Sequence, residues 1–283
     1  MPNKAFLEIT NVCNLACSFC HGTKREPHFM TVDEFKKASS EIRPVADYLY
    51  FHLMGEPLLH PDIGTFLGIA GDLGFKVILT TNGTLLSSVA DILLSSPALF
   101  KVSISLHSYE ANKVCESLDS YLSDCFDFCK KASKKGIISV LRLWNIGGLE
   151  SLNDEIIAKM HSAFDGGTTK EWQEIYSGYK IDEKLFLEWG DLFEWPDIDG
   201  EEYGGDHGCY GLRDQIGVLC DGTVVPCCLD ADGAIDLGNI FNTPLEDILN
   251  SERAKRLRQS FIDKNVCEEL CRKCGYAHMK NYK

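Results

Sequence analysis

The sequence lacks an excess of basic residues, a long apolar run and an export signal. Its 283 residues carry 28 Lys and Arg against 42 Asp and Glu, a formal net charge of −14. Binding to nucleic acid and docking on anionic membranes both depend on a basic surface, so this balance argues against nucleic-acid and membrane partners. No apolar stretch approaches the roughly 20 residues that span a bilayer. The opening Met1-Pro2-Asn3-Lys4 lacks the pattern of a signal peptide, so we expect a cytoplasmic protein.

Internal repeats and low-complexity segments are also absent, while 45% apolar residues suffice for a sizeable core. Apolar runs predict six strands, over residues 5–10, 48–53, 76–80, 102–106, 137–143 and 185–189. Helical patterns lie between these runs, and such alternation indicates parallel βα units and an α/β fold class. About 190 residues with six strands leave two architectures open, a partial barrel and an open doubly wound sheet. Both place ligands at the carboxyl ends of the strands.

Local signals predict four helices in this region. They cover residues 31–42, 61–74, 121–135 and 153–164. Thr31 and Glu34 form a capping-box pattern at the start of the first, and Gly136 is a stop signal after the third. For residues 165–184 we expect one more turn or a short helix.

The remaining third has a different composition. Residues 195–206 are acidic and rich in turn formers, which indicates a linker. A hairpin is predicted from residues 215–219 and 223–226 around the turn Asp221-Gly222. Thr243 to Glu246 form a second capping-box pattern, which predicts a helix as far as about Phe261.

Thirteen cysteines are many for a chain without an export signal, where disulfides are improbable and thiolate ligation of metal is the expected use. None lies between Lys130 and Gly208, which suggests two metal-bearing regions. Cys13, Cys17 and Cys20 follow the first strand with the spacing C-x3-C-x2-C. Three thiolates can hold three irons of a [4Fe–4S] cluster and leave the fourth iron open. Alternatives are a zinc site completed by His21 or His28, and three ordinary buried thiols.

This motif, with Phe19 before its last cysteine, resembles the signature of the radical S-adenosylmethionine (AdoMet) superfamily. The resemblance implies a partial (β/α)6 TIM-like barrel. It also implies that the three cysteines bind a [4Fe–4S] cluster whose open iron chelates AdoMet, which is cleaved to methionine and a 5′-deoxyadenosyl radical. That radical would abstract a hydrogen from the substrate. An electron donor such as flavodoxin or ferredoxin is then an expected partner.

Other segments are similar to AdoMet-contacting segments of the same superfamily, and each follows or ends a predicted strand. Gly55 and Glu56 resemble the segment that contacts the AdoMet amino group, although Met54 stands where a glycine is usual. The cofactor-binding residues that the resemblance implies are Phe19, Gly55, Glu56, Thr81, Asn82, Ser105 and Arg142. His107 is a further site candidate. Without the resemblance, Glu56 is as well explained as a surface acid or a helix-capping acid. Arg142 is as well explained as a partner in an ion pair.

The C-terminal cysteines resemble the SPASM/twitch extension of these enzymes, which carries auxiliary clusters. Cys209 and Cys227 have the C-x17-C spacing of the 2-deoxy-scyllo-inosamine dehydrogenases, and Cys271 and Cys274 form a C-x2-C pair. These four are the predicted ligands of one auxiliary [4Fe–4S] cluster, with Cys267 as a possible replacement for one of them. We therefore expect a core over residues 1–195 and a small cysteine-rich twitch/SPASM-like domain over residues 196–283. The other cysteines, at positions 115, 125, 129, 220 and 228, are expected to pack in the core, or in the last two cases to donate a hydrogen or proton.

One open and one saturated cluster suggest a radical AdoMet oxidoreductase that passes the electron of a substrate radical to the auxiliary cluster. The expected substrate is a small molecule such as an aminosugar or alcohol. Crosslinking or epimerisation of a ribosomal peptide is the alternative, made less favourable because the first strand begins near residue 5 and leaves no room for a preceding peptide-recognition domain. A non-catalytic zinc or iron–sulfur scaffold is the alternative from another class. Candidate pocket residues are Glu188, Trp189, Asp191, Glu194 and Trp195.

Overall fold

The computed structural model describes residues 2–112, 117–165 and 171–280. Its strands are β1 (Lys4–Leu7), β2 (Tyr48–Phe51), β3 (Lys76–Thr81), β4 (Leu99–Ser105), β5 (Ile138–Ile146), β6 (Gln173–Ile175), β7 (Gly178–Asp182), β8 (Leu185–Asp191), β9 (Gln215–Val218) and β10 (Val224–Val225). Its helices are α1 (Val32–Ile42), α2 (Ile63–Asp72), α3 (Leu86–Ser95), α4 (Ser108–Asn112), α5 (Leu118–Lys134), α6 (Asn153–Phe164), α7 (Leu245–Asn250), α8 (Glu252–Ile262), α9 (Glu269–Arg272) and α10 (Gly275–Lys280), with a 3-10 helix at Pro57–Leu59. Within these described ranges, no helix is both long and apolar enough to cross a membrane.

The chain forms two compact units. The first comprises Met1–Cys13, Cys20–Val77 and Phe193–Lys283, and the second comprises Asn14–Phe19 and Ile78–Leu192. The chain passes between the units within β3 and again within the segment that carries the first three cysteines. The division into domains at residues 195 and 196 stays a prediction.

The first unit has a sheet in the order β10-β9-β1-β2, continued by the start of β3. Strand β1 lies parallel to β2 on one side and to β9 on the other. Helices α1 and α2 cover one face, where the ring of Phe35 stacks on Phe66 at 4.1 Å and meets Phe51 edge-on at 5.6 Å. These fully buried rings form the centre of the core of this unit.

The second unit contains the parallel strands β4, β5 and β8, to which β7 and β6 add antiparallel. Helix α5 buries a regular apolar stripe that includes Tyr121, Cys125 and Cys129. Strands β4, β5 and β8 pair in register, with Ser105 beside Arg142 and Arg142 beside Glu188.

The six predicted strands are confirmed, with ends shifted by up to three residues, and so is the α/β fold class. The helix over residues 153–164 matches to the residue, and Thr31 forms the predicted capping box with Glu34. The hairpin of β9 and β10 is also confirmed. Its parallel pairing with β1 was not predicted.

One local prediction is wrong, and another falls partly outside the described residues. Residues 171–184 form the hairpin of β6 and β7 and no helix, and the polar edge of this hairpin gives little hydrophobic alternation. Residues 166–170 of the predicted turn or short helix lie outside the described residues. The predicted helix from Thr243 to Phe261 is broken at Ser251, which is extended (ψ 154°) and whose hydroxyl accepts the N–H of Ala254 to start α8. Pro244 takes the N-cap position of α7 and no side chain caps that helix, so the capping box at Thr243 does not form.

Candidate functional site

Cys13, Cys17 and Cys20 lie in a segment without helix or strand shortly after β1. Cys13 and Cys20 are exposed and Cys17 is half-buried. In the second unit, the amide of Asn112 donates to the Cys17 sulfur at 2.9 Å. In the first unit, the N–H of Gly22 donates to the Cys20 sulfur at 3.4 Å. Donors of this kind stabilise thiolate over thiol, which suits sulfurs that bind iron.

In the second unit, polar side chains hold residues 14–19 from two directions. The Asn14 side chain accepts from the amide of Asn82 at 2.9 Å and donates to Thr84 at 2.9 Å. The Asn112 oxygen accepts the N–H of Ala16 at 2.8 Å, while its nitrogen reaches Cys17. Asn112 therefore fixes the middle of the cysteine segment, a role that no local pattern in the sequence indicates.

Thr81 and Asn82 shape the turn after β3. The Thr81 hydroxyl accepts the N–H of Gly83 at 3.0 Å, and the Asn82 carbonyl accepts the phenol of Tyr121 at 2.8 Å. Gly83 has φ +86°, and a Cβ there would lie 3.0 Å from the Cys125 sulfur. The predicted contact of this turn with AdoMet stays a prediction, and its observed role is to place Asn82 beside Asn14.

Ser105, Arg142 and Glu188 form a row across three parallel strands, at the end of β4 and in the middle of β5 and β8. Ser105 pairs in register with Arg142, and Arg142 with Glu188, so the three side chains share one face. The Arg142 guanidinium lies 3.3 Å from the Glu188 carboxylate. It also lies 4.5 Å above the ring of Trp144. A half-buried arginine held in this way presents a fixed cation to an incoming carboxylate group.

His107 lies next to this row and carries no charge at neutral pH. Burial lowers its pKa to about 4. Its Nδ1 lies 3.1 Å from the Arg142 carbonyl, and its ring packs at 4.6 Å against Phe19. The Trp144 N–H also lies 3.4 Å from Nδ1, so this nitrogen faces one acceptor and one donor. His107 therefore supports the position of Phe19 and does not supply a proton at neutral pH.

Gly55 and Glu56 pack against the residues that precede Cys13, all within the first unit. The N–H of Glu56 donates to the Val12 carbonyl at 2.8 Å. Gly55 has φ +75°, and a Cβ there would lie 2.3 Å from the Thr10 carbonyl oxygen. The buried Glu56 carboxylate accepts the N–H of Leu58 at 3.0 Å and so caps the 3-10 helix. Glycine is required here because two backbone segments touch.

The four predicted auxiliary ligands, Cys209, Cys227, Cys271 and Cys274, interact with one another in the first unit. Burial raises the pKa of Cys227 well above its usual value, and the adjacent Cys228, then Cys209, Cys271 and Cys274, raise it further. Burial and then Cys209 and Cys274 have the same effect on the pKa of Cys271. Burial raises the pKa of Cys274 to about 11. Cys267, in contrast, is exposed, whereas these four cysteines are half-buried, which favours the four-cysteine assignment.

This set fits a bound iron–sulfur cluster. Partial burial raises the pKa of all four thiols, which opposes their joint ionisation in the absence of a cation, and bound iron would provide that charge. The N–H of Gly211 donates to the Cys209 sulfur at 3.3 Å, as expected for a ligand thiolate. Across the described ranges, no three His, Cys, Asp or Glu side chains come together as ligands of a single metal ion.

The remaining cysteines lie elsewhere, and none of those described forms a disulfide. Cys125 and Cys129 are buried in α5, as predicted. Cys220 is buried, and Cys228 packs against a small cluster that contains Phe6 and Leu53. Cys115 falls outside the described residues.

The histidines proposed as zinc ligands contact carboxylates instead. His21 lies 3.5 Å from Asp232, and His28 lies 3.3 Å from Glu34. Neither observation favours the zinc alternative.

The predicted pocket residues divide between the two units. Glu188 pairs with Arg142, whereas the neighbouring Trp189 lines a cavity of about 500 Å3 with Trp172, Tyr179 and other residues of the second unit. Glu194 accepts the phenol of Tyr203 at 2.5 Å in the first unit. The structure does not bring Glu188 and Trp189 into one pocket, because successive strand residues face opposite sides of the sheet.

Residues 7–164 match the family model of the radical SAM superfamily. The chain belongs to this superfamily. Residues 209–275 match SPASM, an iron–sulfur cluster-binding domain. The predicted recognition, fold class and cofactors are thereby confirmed: a radical SAM domain followed by a C-terminal SPASM domain, with AdoMet, a [4Fe–4S] cluster and auxiliary iron–sulfur binding.

Curated relatives of this radical SAM chain catalyse different reactions. An AdoMet-dependent heme synthase of Methanosarcina barkeri is 33% identical over 113 residues, which cover 39% of this chain and 32% of that protein. A probable GTP 3′,8-cyclase of Sulfurisphaera tokodaii is 28% identical over 205 residues, 66% of this chain and 64% of that one. The match to the first of these relatives spans about a third of its length. The family is thus shared, whereas the reaction differs between relatives.

Solved structures share the fold at low identity. BtrN in complex with AdoMet and 2-DOIA has a TM-score of 0.58 at 18% identity, over 97% of this chain and 93% of that chain. SuiB of Streptococcus suis bound to precursor peptide SuiA has a TM-score of 0.62 at 18% identity, over 98% and 70%. One complex holds a small molecule and the other a peptide, so the likeness supports the fold and leaves the substrate open.

Proposed function

We propose that this radical SAM enzyme is an oxidoreductase that removes two electrons from a small molecule such as an aminosugar or alcohol. The observation that carries the proposal is the set Cys209, Cys227, Cys271 and Cys274. Four thiols saturate a [4Fe–4S] cluster, and a saturated cluster serves electron transfer and has no open iron for substrate.

The first site is proposed to use Cys13, Cys17 and Cys20 as iron ligands. When bound, the AdoMet and cluster supply a 5′-deoxyadenosyl radical. The chain's own residues bind and orient: Asn112 fixes Cys17, Phe19 rests on neutral His107, and Gly55 keeps its segment against residues 10–12. In this proposal Arg142, already held by Glu188 and Trp144, receives the AdoMet carboxylate beside Ser105.

In the proposed reaction the substrate would lose one hydrogen atom to the 5′-deoxyadenosyl radical, giving 5′-deoxyadenosine. The resulting substrate radical would lose one proton to solvent and one electron, which a bound auxiliary cluster held by Cys209, Cys227, Cys271 and Cys274 would accept. A reduced flavodoxin or ferredoxin is the proposed source of the electron that cleaves AdoMet, in a cytoplasm of low oxygen content.

The test measures 5′-deoxyadenosine after anaerobic reconstitution with iron and sulfide, AdoMet and dithionite. The Cys13, Cys17 and Cys20→Ala triple variant is expected to form none. The Cys125→Ala variant removes one buried thiol of α5 and is the matched control, expected to keep the parent rate. Failure of the fully loaded parent chain to form 5′-deoxyadenosine, with candidate substrates present, would contradict radical initiation.

Deuterium transfer identifies the substrate class. Deuterium found in 5′-deoxyadenosine after incubation with a labelled aminosugar or alcohol, together with one oxidised product per AdoMet consumed, is the result expected for an oxidoreductase. Label from a peptide, or product without net oxidation, overturns it in favour of peptide crosslinking or epimerisation. Zinc without acid-labile sulfide in colourless protein would instead indicate a scaffold.

A further inference from the structure

A buried ion pair in the first unit joins segments that flank both proposed cofactor sites. Glu8 is fully buried one residue after β1, and Arg25 lies five residues after Cys20. One Arg25 nitrogen, Nη2, lies 2.7 Å and 2.8 Å from the two Glu8 oxygens. The pair therefore bridges the residues before Cys13 and the residues after Cys20.

The same carboxylate also receives two backbone donors. The N–H of Met54 donates to one Glu8 oxygen at 3.0 Å, and the N–H of Cys220 donates to the other at 3.2 Å. Met54 immediately precedes Gly55, the glycine that packs on residues 10–12. Cys220 lies in the turn of the C-terminal hairpin, seven residues before Cys227.

Arg25 uses its other donors on the C-terminal region. Its Nε donates to the Ala231 carbonyl at 2.9 Å, and its Nη1 lies 3.5 Å from the Cys220 sulfur. The guanidinium fork thus binds a carboxylate, a carbonyl and a sulfur at once. Lysine reaches one such partner with a compact ammonium and does not reproduce the fork.

A pair of this kind is a poor source of stability, because removing two charges from water offsets most of their attraction. Its directional bonds do fix geometry. Residues 11–28 contain no helix or strand, so side-chain contacts such as this pair define their course. We propose that Glu8 and Arg25 are positioning residues that hold the AdoMet-binding segments and the auxiliary-cluster segment in one geometry, so that disturbing the pair changes both cofactor sites.

The proposal rests on the proposed function, in that both sites must hold their cofactors. The test uses Arg25→Lys, which keeps the charge and removes the fork, and Glu8→Gln, which replaces an acceptor with an amide that faces donors. Arg43→Lys is the matched control, since Arg43 also binds a carboxylate and two carbonyls in this unit, through Asp47, Leu73 and Ala46.

The properties of each cofactor site are measured in a background that lacks the ligands of the other cluster. In the Cys227→Ala and Cys271→Ala double background, AdoMet affinity is measured by titration of the change in the first cluster's EPR spectrum. In the Cys13, Cys17 and Cys20→Ala background, the EPR g values and the midpoint potential of the auxiliary cluster are measured. Changes in groups that support metal ligands typically cost about 10-fold to 100-fold in affinity or activity.

We expect Arg25→Lys and Glu8→Gln to weaken AdoMet binding by roughly 10-fold or more and to shift the auxiliary g values and potential, at parent iron content. Arg43→Lys is expected to change neither. Parent-like affinity and spectra in both pair variants overturn the proposal. So does an effect confined to one cluster, or iron loss in Arg25→Lys that parallels a lower melting temperature, because these show a local or purely structural role. A parent chain that loads iron but binds no AdoMet contradicts the proposed function instead.

Discussion

Replacing Gly55 with alanine tests how closely the segment before the first cysteine is packed. Gly55 and Gly74 have nearly the same left-handed conformation, with φ of +75° and +78°. At Gly74 an added Cβ meets nothing within 4 Å. At Gly55 it would lie 2.3 Å from the Thr10 oxygen and 2.9 Å from both the Asn11 carbonyl carbon and the Val12 oxygen. The two substitutions therefore share a conformational cost and differ in the steric one.

The shared cost of a left-handed alanine is roughly 1–2 kcal/mol. Inserting a methyl group where none fits adds about 1–3 kcal/mol, because all three neighbours are backbone and none is a flexible side-chain end. We thus expect Gly55→Ala to lower the free energy of unfolding by about 2–5 kcal/mol, and Gly74→Ala by about 1–2 kcal/mol. Chemical denaturation of both variants and the parent, followed by circular dichroism, measures the difference.

The same substitution is expected to weaken AdoMet binding, since the clash moves either Gly55 or residues 10–12, next to Cys13. Equal destabilisation by the two substitutions, within about 0.5 kcal/mol, would refute the steric argument. Parent affinity for AdoMet in a destabilised Gly55→Ala variant would refute the link to the site.

Three further predictions concern other parts of the chain. Because burial lowers the pKa of His107 to about 4, the unfolded chain binds a proton below about pH 6.5 that the folded chain does not bind. The free energy of unfolding should therefore fall by about 1.4 kcal/mol per pH unit between pH 6 and pH 5. Urea denaturation of the His107→Gln variant should lack this contribution. Ser251→Ala should cost about 1 kcal/mol through loss of the α8 cap, while Thr243→Ala should cost a few tenths; equal thermal shifts would contradict the observed break between α7 and α8. Cys271→Ala should lower bound iron by about four atoms per chain, whereas Cys267→Ala should leave the iron content unchanged. Colorimetric analysis of iron and sulfide distinguishes the two variants. Loss of iron in both variants would place Cys267 among the ligands.

The fold was predictable where its signals are local. Thr31 and Glu34 satisfy each other's backbone within one turn, and the helix over residues 153–164 shows its apolar period without interruption. Ser251 shows the limit of such signals. Ser251 caps α8, whereas the pattern at Thr243 does not cap α7. Packing decides which pattern is used, because Leu245, the first residue of α7, donates its N–H to Glu41 of α1 at 3.0 Å. That contact is 204 residues apart in sequence, so no local pattern contains it.

The parallel pairing of β9 with β1 was not predictable for the same reason. Lys4 to Leu7 align with Gln215 to Val218 across more than 200 residues. The turn residues Asp221-Gly222 predict the hairpin of β9 and β10. They do not indicate which strand pairs with the other edge of β9. Candidate site residues were predicted by motif, but the groups that hold them, such as Asn112 beside Cys17, have no sequence signature.

Asn112 and the Glu8–Arg25 pair connect the candidate site residues to distant parts of the chain. The candidate cofactor residues were predicted from motifs that are local in the sequence. The polar groups behind them are set by distant parts of the chain: Asn112 reaches back 95 residues to Cys17, and Glu8 binds Cys220 at a separation of 212. The positioning groups are therefore where substitutions should alter the coupling between cofactors without removing the cofactors themselves.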